Sequence, residues 1–316
     1  MMSAEQNPFR RTILNLRPCP EPIGFQDKSL WLGSCFTENM APWLSRLGYP
    51  AMANPFGVIY HPLIMEKLLF SSETDIQSYN FLRDDVWLNY LLGAPFAAES
   101  EQELNLQTAK AVQLCRQHLE DSNWLVLTFG TAFLYHHHKL GPVGKCHKIP
   151  AEHFEKRMSS VEEISWSWMR AIKEIRKSNP GLRVLFSLSP VRHSRDGLEE
   201  NALSKATLLL AINTIRTQLP GIFYFPAWEI MNDELRDYRF YASDLVHPSE
   251  EAIRYLRACF EKAFLQKDED KIRRLAEEIF LLENHRPAAD WTKEAITHRQ
   301  MLESKKAELR KLLPSS

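Results

Sequence analysis

Leu30-Trp31-Leu32-Gly33-Ser34-Cys35-Phe36-Thr37-Glu38-Asn39-Met40 opens with three apolar residues that a glycine stops, and then changes period. Phe36, Met40, Leu44 and Leu47 recur at helical spacing, and Gly48 ends the pattern. A short buried strand running straight into an amphipathic helix is the repeating unit of a parallel sheet covered by helices. A side chain in such a turn projects at the sheet edge, where the free N–H groups and dipole of the helix favour negative charge. Taken alone, Gly33 followed by two small residues reads as an ordinary βα turn more readily than as a reactive site.

The alternation continues along the chain. A short run at residues 51–53 ends in the turn Asn54-Pro55-Phe56-Gly57, and residues 124–129 form a buried strand closed by Gly130. Residues 183–189 and 222–225 supply a fourth and a fifth strand. Val161, Ile164, Trp168, Ile172 and Ile175 mark a helix ended by Asn179-Pro180-Gly181, and a further helix spans 198–219. Ser249 is a good N-cap, with Glu250 and Glu251 in the first turn, for a helix that buries Ala252, Leu256, Cys259, Phe260 and Ala263. Residues 61–121 read as mostly helical with a break at Gly93-Ala94-Pro95, and residues 140–151 as a loop. The predicted fold is α/β: an open, doubly wound, mostly parallel five-stranded sheet in three α/β/α layers, flavodoxin-like. In such folds ligands sit beyond the carboxyl ends of the strands.

From Lys267 the composition turns to charged helical sequence, interrupted at Arg286-Pro287. The expected segmentation is a leading segment 1–25, a domain 26–265 and a helical extension 266–316 that packs on the domain or on a partner, leaving room for an oligomer through these helices. The 316 residues are 44% hydrophobic and 25% charged with a formal net charge of −1, which gives no pull toward nucleic acid or an acidic membrane. Five scattered cysteines without a C-x-x-C pair argue against a disulfide framework or a zinc ribbon and for a reducing compartment. Residues 1–11 hold no apolar core of a signal peptide, and no apolar run reaches the ~20 residues that span a bilayer. A cytoplasmic location is expected, with no cofactor and no membrane partner.

Asp244-Leu245-Val246-His247 changes the reading of the first turn. A spacing of three brings both side chains to one side of a turn, where a carboxylate fixes the tautomer of an imidazole and stabilises its charged form. The competing reading is that both residues merely cap the next helix. A nucleophile after the first strand and Asp-x-x-His after the last is nevertheless a specific chain order.

The stretches Gly33-Ser34-Cys35-Phe36-Thr37-Glu38-Asn39, Asn54-Pro55-Phe56-Gly57, Thr128-Phe129-Gly130-Thr131, Cys146-His147-Lys148, Ser189-Pro190-Val191-Arg192-His193 and Asp237-Tyr238-Arg239-Phe240-Tyr241-Ala242 resemble the GSCFA family. They cover most of residues 20–265, and His285-Arg286-Pro287 fits as well. The chain order in turn resembles the SGNH (GDSL-like) hydrolases. That resemblance implies a covalent acyl-enzyme mechanism on an ester or thioester, with a small-molecule, lipid or saccharide acyl ester as substrate. An acyltransferase would use the same parts, and a non-catalytic module that keeps the SGNH fold for ligand binding is the rival.

The SGNH first block, Gly-Asp-Ser and then an apolar residue, falls on Gly33-Ser34-Cys35-Phe36 with Cys35 at the nucleophile position. A shift of one residue makes Ser34 the attacking group instead. A helix N-terminus and a nearby His favour thiolate, which suits Cys35, whereas a free cysteine is also commonly just a small buried residue. Asp244 and His247 are the implied orienting acid and general base. Gly57 matches the glycine whose N–H helps hold the oxyanion, although Asn-Pro and Gly also favour a plain turn. At the third block, Gly130-Thr131-Ala132 keeps the glycine but lacks the usual Asn, a donor worth roughly 3–4 kcal/mol of barrier lowering. Thr131, Asn54 and Arg192 are the candidate replacements, and the sequence does not choose among them.

Arg192-His193 lies on the functional edge, where Arg192 suits an anionic substrate group or the oxyanion; a surface ion pair is the plainer reading. Cys146-His147 in a loop reads as incidental. His136-His137-His138 is rejected as a metal site, because adjacent residues on one element cannot all face one ion. A metal-dependent hydrolase would instead need His193, His247 and Cys146 to converge.

Overall fold

The computed structural model describes residues 12–284 and 292–312, so the first eleven residues and His285-Arg286-Pro287 lie outside the described residues. The chain opens with β1 (Ser29–Gly33), α1 (Cys35–Arg46) and β2 (Ala51–Ala53), then α2 (Pro62–Phe70) and α3 (Glu73–Gln77). Three short strands follow, β3 (Asn80–Arg83), β4 (Val86–Asn89) and β5 (Ala97–Ala98), before the long α4 (Glu101–Asp121). Next come β6 (Trp124–Phe129), β7 (Phe133–His137), β8 (Gly141–Val143), β9 (Phe154–Met158) and α5 (Val161–Ser178). β10 (Arg183–Leu188), α6 (Leu198–Gln218), β11 (Ile222–Phe225), α7 (Ala227–Glu229) and α8 (Glu250–Phe264) complete the α/β core. α9 (Asp270–Asn284) and α10 (Lys293–Leu312) form the tail.

The five strands expected from the apolar runs form one wholly parallel sheet in the order β11-β10-β6-β1-β2. Counted among themselves, this is the flavodoxin-like order 2-1-3-4-5. The chain moves outward from β1 to β2 and then returns across β1 to β6. The switch point therefore lies between β1 and β6, where Gly33 pairs with Thr128.

Every residue of β1 and β6 is buried, as expected of strands covered on both faces. Alternate side chains serve opposite cores. Leu30, Leu32, Leu125 and Leu127 pack with residues of α4, α5 and α6 on one face. Trp31, Trp124 and Val126 pack with residues of α1 and α8 on the other. Each fully buried apolar side chain stabilises the fold by about 1.5–3 kcal/mol. The Trp31 indole N–H, buried with its ring, donates to Ser29 Oγ at 2.9 Å. Ser249 caps α8, its hydroxyl accepting the Ala252 N–H at 3.2 Å.

Two regions depart from the expectations. Residues 61–121 are not mostly helical: β3, β4 and β5 make an antiparallel sheet between α3 and α4. Asp84 and Asp85, at φ 48° and 60°, form the two-residue turn between β3 and β4, a geometry that matches strand twist. Phe81 stacks on Tyr90 at 4.0 Å between ring centres and anchors that sheet to the core. A second antiparallel sheet, β8-β7-β9, takes up part of the expected loop at 140–151 and contains His136 and His137. Consecutive strand residues face opposite sides, so these two histidines point apart. No helix among the described residues is long and apolar enough to cross a membrane.

His61, which caps α2, is almost fully buried. Its Nδ1 accepts the Leu63 N–H at 3.1 Å and its Nε2 lies 3.2 Å from the Ala132 carbonyl. That pattern needs the neutral ring with its proton on Nε2, and burial lowers the pKa to about 4. Between pH 6.5 and 4 the unfolded chain binds a proton here that the folded chain refuses, so stability falls on acidification, by roughly 3 kcal/mol at full effect. Thermal unfolding followed from pH 7.5 down to 4.5 should show this loss, and His61→Gln should flatten the slope.

Candidate active site

The turn after β1 is shaped by a close approach. A Cβ on Gly33, at φ 151°, would stand 2.4 Å from the Thr128 carbonyl oxygen, so only glycine fits beside β6. The Gly33 N–H donates to Asn54 Oδ1 at 2.9 Å, which ties the end of β2 to the turn. Asn54 itself adopts φ 43°, a left-handed conformation that asparagine tolerates, and its Nδ2 is buried without a partner.

The next two residues part company. Ser34 is wholly buried: its hydroxyl accepts the Phe36 N–H at 3.3 Å as the N-cap of α1 and donates to Ser189 Oγ at 3.0 Å. Cys35, the first helical residue, is half-buried and lines a cleft of about 400 Å³ together with His247. As the first residue of a helix it has a backbone N–H without an intrahelical acceptor.

His247 is aimed by a turn that Asp244 organises. Asp244 Oδ1 accepts the N–H groups of Val246 and His247, both at 2.9 Å, and Oδ2 meets His247 Nδ1 at 2.6 Å. These bonds, led by the backbone one from His247, hold the carboxylate pKa down to about 2. Leu245 between them is forced to φ 58°. The pair is about half exposed, so its value lies in orientation more than in stability. With Nδ1 engaged, Nε2 is the ring nitrogen left for a proton in the cleft.

The helix N-terminus does not produce a free thiolate. Burial and the nearby Glu38 carboxylate raise the Cys35 pKa against the lowering pull of backbone N–H groups and of Lys205. Lys205 was invisible to the sequence reading. It is buried on α6, donates to the carbonyls of Gly130 and Ser189 at 2.8 Å each, and faces the Trp228 ring at 4.9 Å. Burial lowers its pKa to about 7, opposed by Cys35 and Glu229. The ammonium thus pins together the carboxyl ends of β6 and β10 beside the cleft. The signal was a lysine at the apolar spacing Lys205, Leu208, Ile212, Ile215, all buried.

Several expected donors are spent elsewhere. The Gly57 N–H closes its own turn onto the Asn54 carbonyl at 2.7 Å, and Gly57 is a glycine because Gly93 packs on it: a Cβ there would lie 2.7 Å from Gly93 Cα. The N–H groups of Gly130 and Thr131 both reach the Tyr60 carbonyl, at 2.9 and 3.3 Å. The Thr131 hydroxyl sits 3.2 Å from Ser204 Oγ and accepts the Phe133 N–H. Arg192 lies between rings, 4.5 Å from Tyr241 and 5.8 Å from Tyr238, with Asn232 Oδ1 at 3.4 Å. It braces the loop that carries Asp244 and His247 and is not part of the cleft wall.

His193 does belong to this neighbourhood. Burial, with Lys205 next in weight, lowers its pKa to about 4, and His247 acts on it in the same direction. Its Nε2 is buried and unpartnered, its ring meets Tyr60 edge-on at 5.6 Å, and its N–H donates to Asn201 Oδ1 at 3.0 Å. Neutral His193 and the Asn54 amide are thus buried polar groups without a partner near the turn, as are the hydroxyls of Thr37 and Thr128. His147 is instead pinned to the Asn89 carbonyl at 2.9 Å and meets the Phe81 ring edge-on at 5.4 Å. Among the described residues no group of three or more His, Cys, Asp or Glu side chains converges as a metal site would require.

No curated protein is similar enough to the chain to match it. The model of the GSCFA family matches residues 28–260, from just before β1 to near the end of α8 and well over half of the chain. It takes in the glycine turn, the buried Lys205 and the Asp244–His247 pair, and on that extent the chain belongs to the GSCFA family.

Proposed function

We propose that this protein is an SGNH-like acyl hydrolase with a thiol nucleophile. The observation that carries the reading is the shared cleft: Cys35 and His247 line it together, with His247 Nδ1 held by Asp244 at 2.6 Å. Cys35 Sγ attacks the carbonyl of an ester or thioester, and His247 Nε2 takes the thiol proton as the S–C bond forms. The imidazolium then returns that proton to the leaving alcohol or thiol. Water, deprotonated by the same nitrogen, cleaves the acyl-thioester and frees the acid, and the imidazolium hands that proton to the departing Cys35 sulfur. Because burial keeps Cys35 protonated at rest, His247 must act in the step itself.

The oxyanion is held by the Cys35 N–H and a buried donor that has no other partner, Asn54 Nδ2 or His193 Nε2. Ser34 is a cap whose oxygen has no approach to the cleft. An acyltransferase reading needs the same residues with an alcohol in place of water, and product analysis separates the two. The engagement of the Gly57 and Gly130 N–H groups is the observation favouring a binding module without turnover.

A panel of p-nitrophenyl and thioester acyl substrates tests the reading. Cys35→Ala and His247→Ala should each lower turnover by about 10⁴-fold or more. Ser34→Ala should keep activity while losing about 1 kcal/mol of stability with its cap. Turnover by Cys35→Ala equal to the unaltered protein would end the thiol mechanism, and no turnover of any substrate would favour the binding module.

Alkylation gives an independent check. Iodoacetamide reacts with thiolate, and the Cys35 pKa stands above its ordinary value of 9.0. The labelling rate at Cys35, followed by mass spectrometry, should keep climbing beyond pH 9. A plateau below pH 8 would show a pre-formed thiolate instead.

A further inference from the structure

The cleft does not end at Cys35 and His247. It is a groove between α1 and α8, and its walls also carry Arg46, Arg254 and Arg257. Arg254 and Arg257, three residues apart on α8, share one face of that helix. Arg46 lies in the last turn of α1.

Among the described residues none of these three guanidinium groups enters an ion pair. The contrast with Arg273, one step along the surface, is direct: it meets Glu261 at 3.0 Å and also Asp270. Glu250 lines the same groove at the His247 end, one turn from Arg254, and forms no pair with it.

Two of the three side chains are held in place and do not trail in solvent. Arg257 donates from Nη2 to the Asn39 carbonyl at 2.7 Å and stands 5.7 Å from the Trp43 ring, with its Nε buried and unpartnered. Arg46 rests 5.1 Å from the ring of Phe280 on α9. Burial, and after it the charge of Arg46, lowers the Arg257 pKa, so the repulsion between the two is uncompensated. A helix dipole favours a cation at the end of α1 and accounts for Arg46 alone. It does not account for two more arginines midway along α8.

We propose that this arginine groove binds a phosphate or diphosphate group of the substrate, making the substrate a phosphate-bearing acyl ester or thioester. Three guanidinium groups, two of them held in place, match the charge and the several oxygens of such a group better than the single charge of a carboxylate. Asn39, which anchors Arg257, and Arg46 lie four and eleven residues beyond Cys35 on α1. At 1.5 Å per residue the phosphate sits about 6–16 Å from the attacked carbonyl. The assignment of substrate class rests on the acyl-transfer reading above, whereas anion binding by the groove does not.

Isothermal titration of the full chain with inorganic pyrophosphate, at ionic strength held constant with sodium chloride, tests the groove. Saturable binding is expected, weakened about tenfold in Arg254→Gln and at least as much in Arg257→Gln. Arg254 is exposed and unpaired, so its variant should fold normally even if Arg257→Gln does not. Absence of saturable binding, or equal binding by Arg254→Gln, would overturn the proposal. In turnover assays a phosphate on the thioester should lower KM, and Arg254→Gln should erase that advantage with kcat unchanged. Pyrophosphate binding that persists in a protein without acyl turnover would uphold the anion site and remove only the hydrolytic reading.

Discussion

The close approach of Gly33 to Thr128 is the constraint on which the rest of the site depends. With no side chain between them, β1 stays in register with β6 to its last residue and then turns directly into α1. That turn sends one side chain under the sheet edge and the next into the open. Ser34 becomes a cap bonded to Ser189 across the strand ends, and Cys35 becomes cleft wall. Asn54 reaches the same glycine from the other side, so β2, β1 and the nucleophile turn are held by one amide.

Around this turn the protein keeps charge scarce. His61 and His193 are neutral through burial, and Lys205 has a lowered pKa and two carbonyl acceptors. The thiol too is biased toward its uncharged form. At the rim stand Asp244 on one side and the arginines of α1 and α8 on the other, with the Glu38 carboxylate near the thiol. An interior of low polarity bounded by fixed charges strengthens whatever charge develops during a reaction, because little water is present to screen it.

How far the sequence could be read follows from the same physics. Central parallel strands bury both faces, so their residues form continuous apolar runs, and all five were legible. The antiparallel strands are short and half exposed, and Asn80-Phe81-Leu82-Arg83 offers too little alternation to outweigh the helical sequence on either side. The placement of Asp244 against His247 was legible because a three-residue spacing is a local relation. The donor role of Gly57 was not, since a glycine N–H can be consumed by the turn that the glycine makes possible. Lys205 escaped notice because lysine is mostly a surface residue, and only its position on an apolar helical stripe marked it. The three groove arginines come from helices far apart in the chain and meet only in the fold.

Leu245 gives the Asp244 turn a further meaning. A leucine at φ 58° is strained, and the conformation persists because Asp244 Oδ1 takes the N–H groups of the two residues that follow. Charge and scaffolding therefore reside in different oxygens of one carboxylate: Oδ1 shapes the chain and Oδ2 holds the imidazole. An asparagine at this position could keep the first and forfeit the second. Backbone geometry and proton chemistry at residue 244 are thus separable by a single atom exchange.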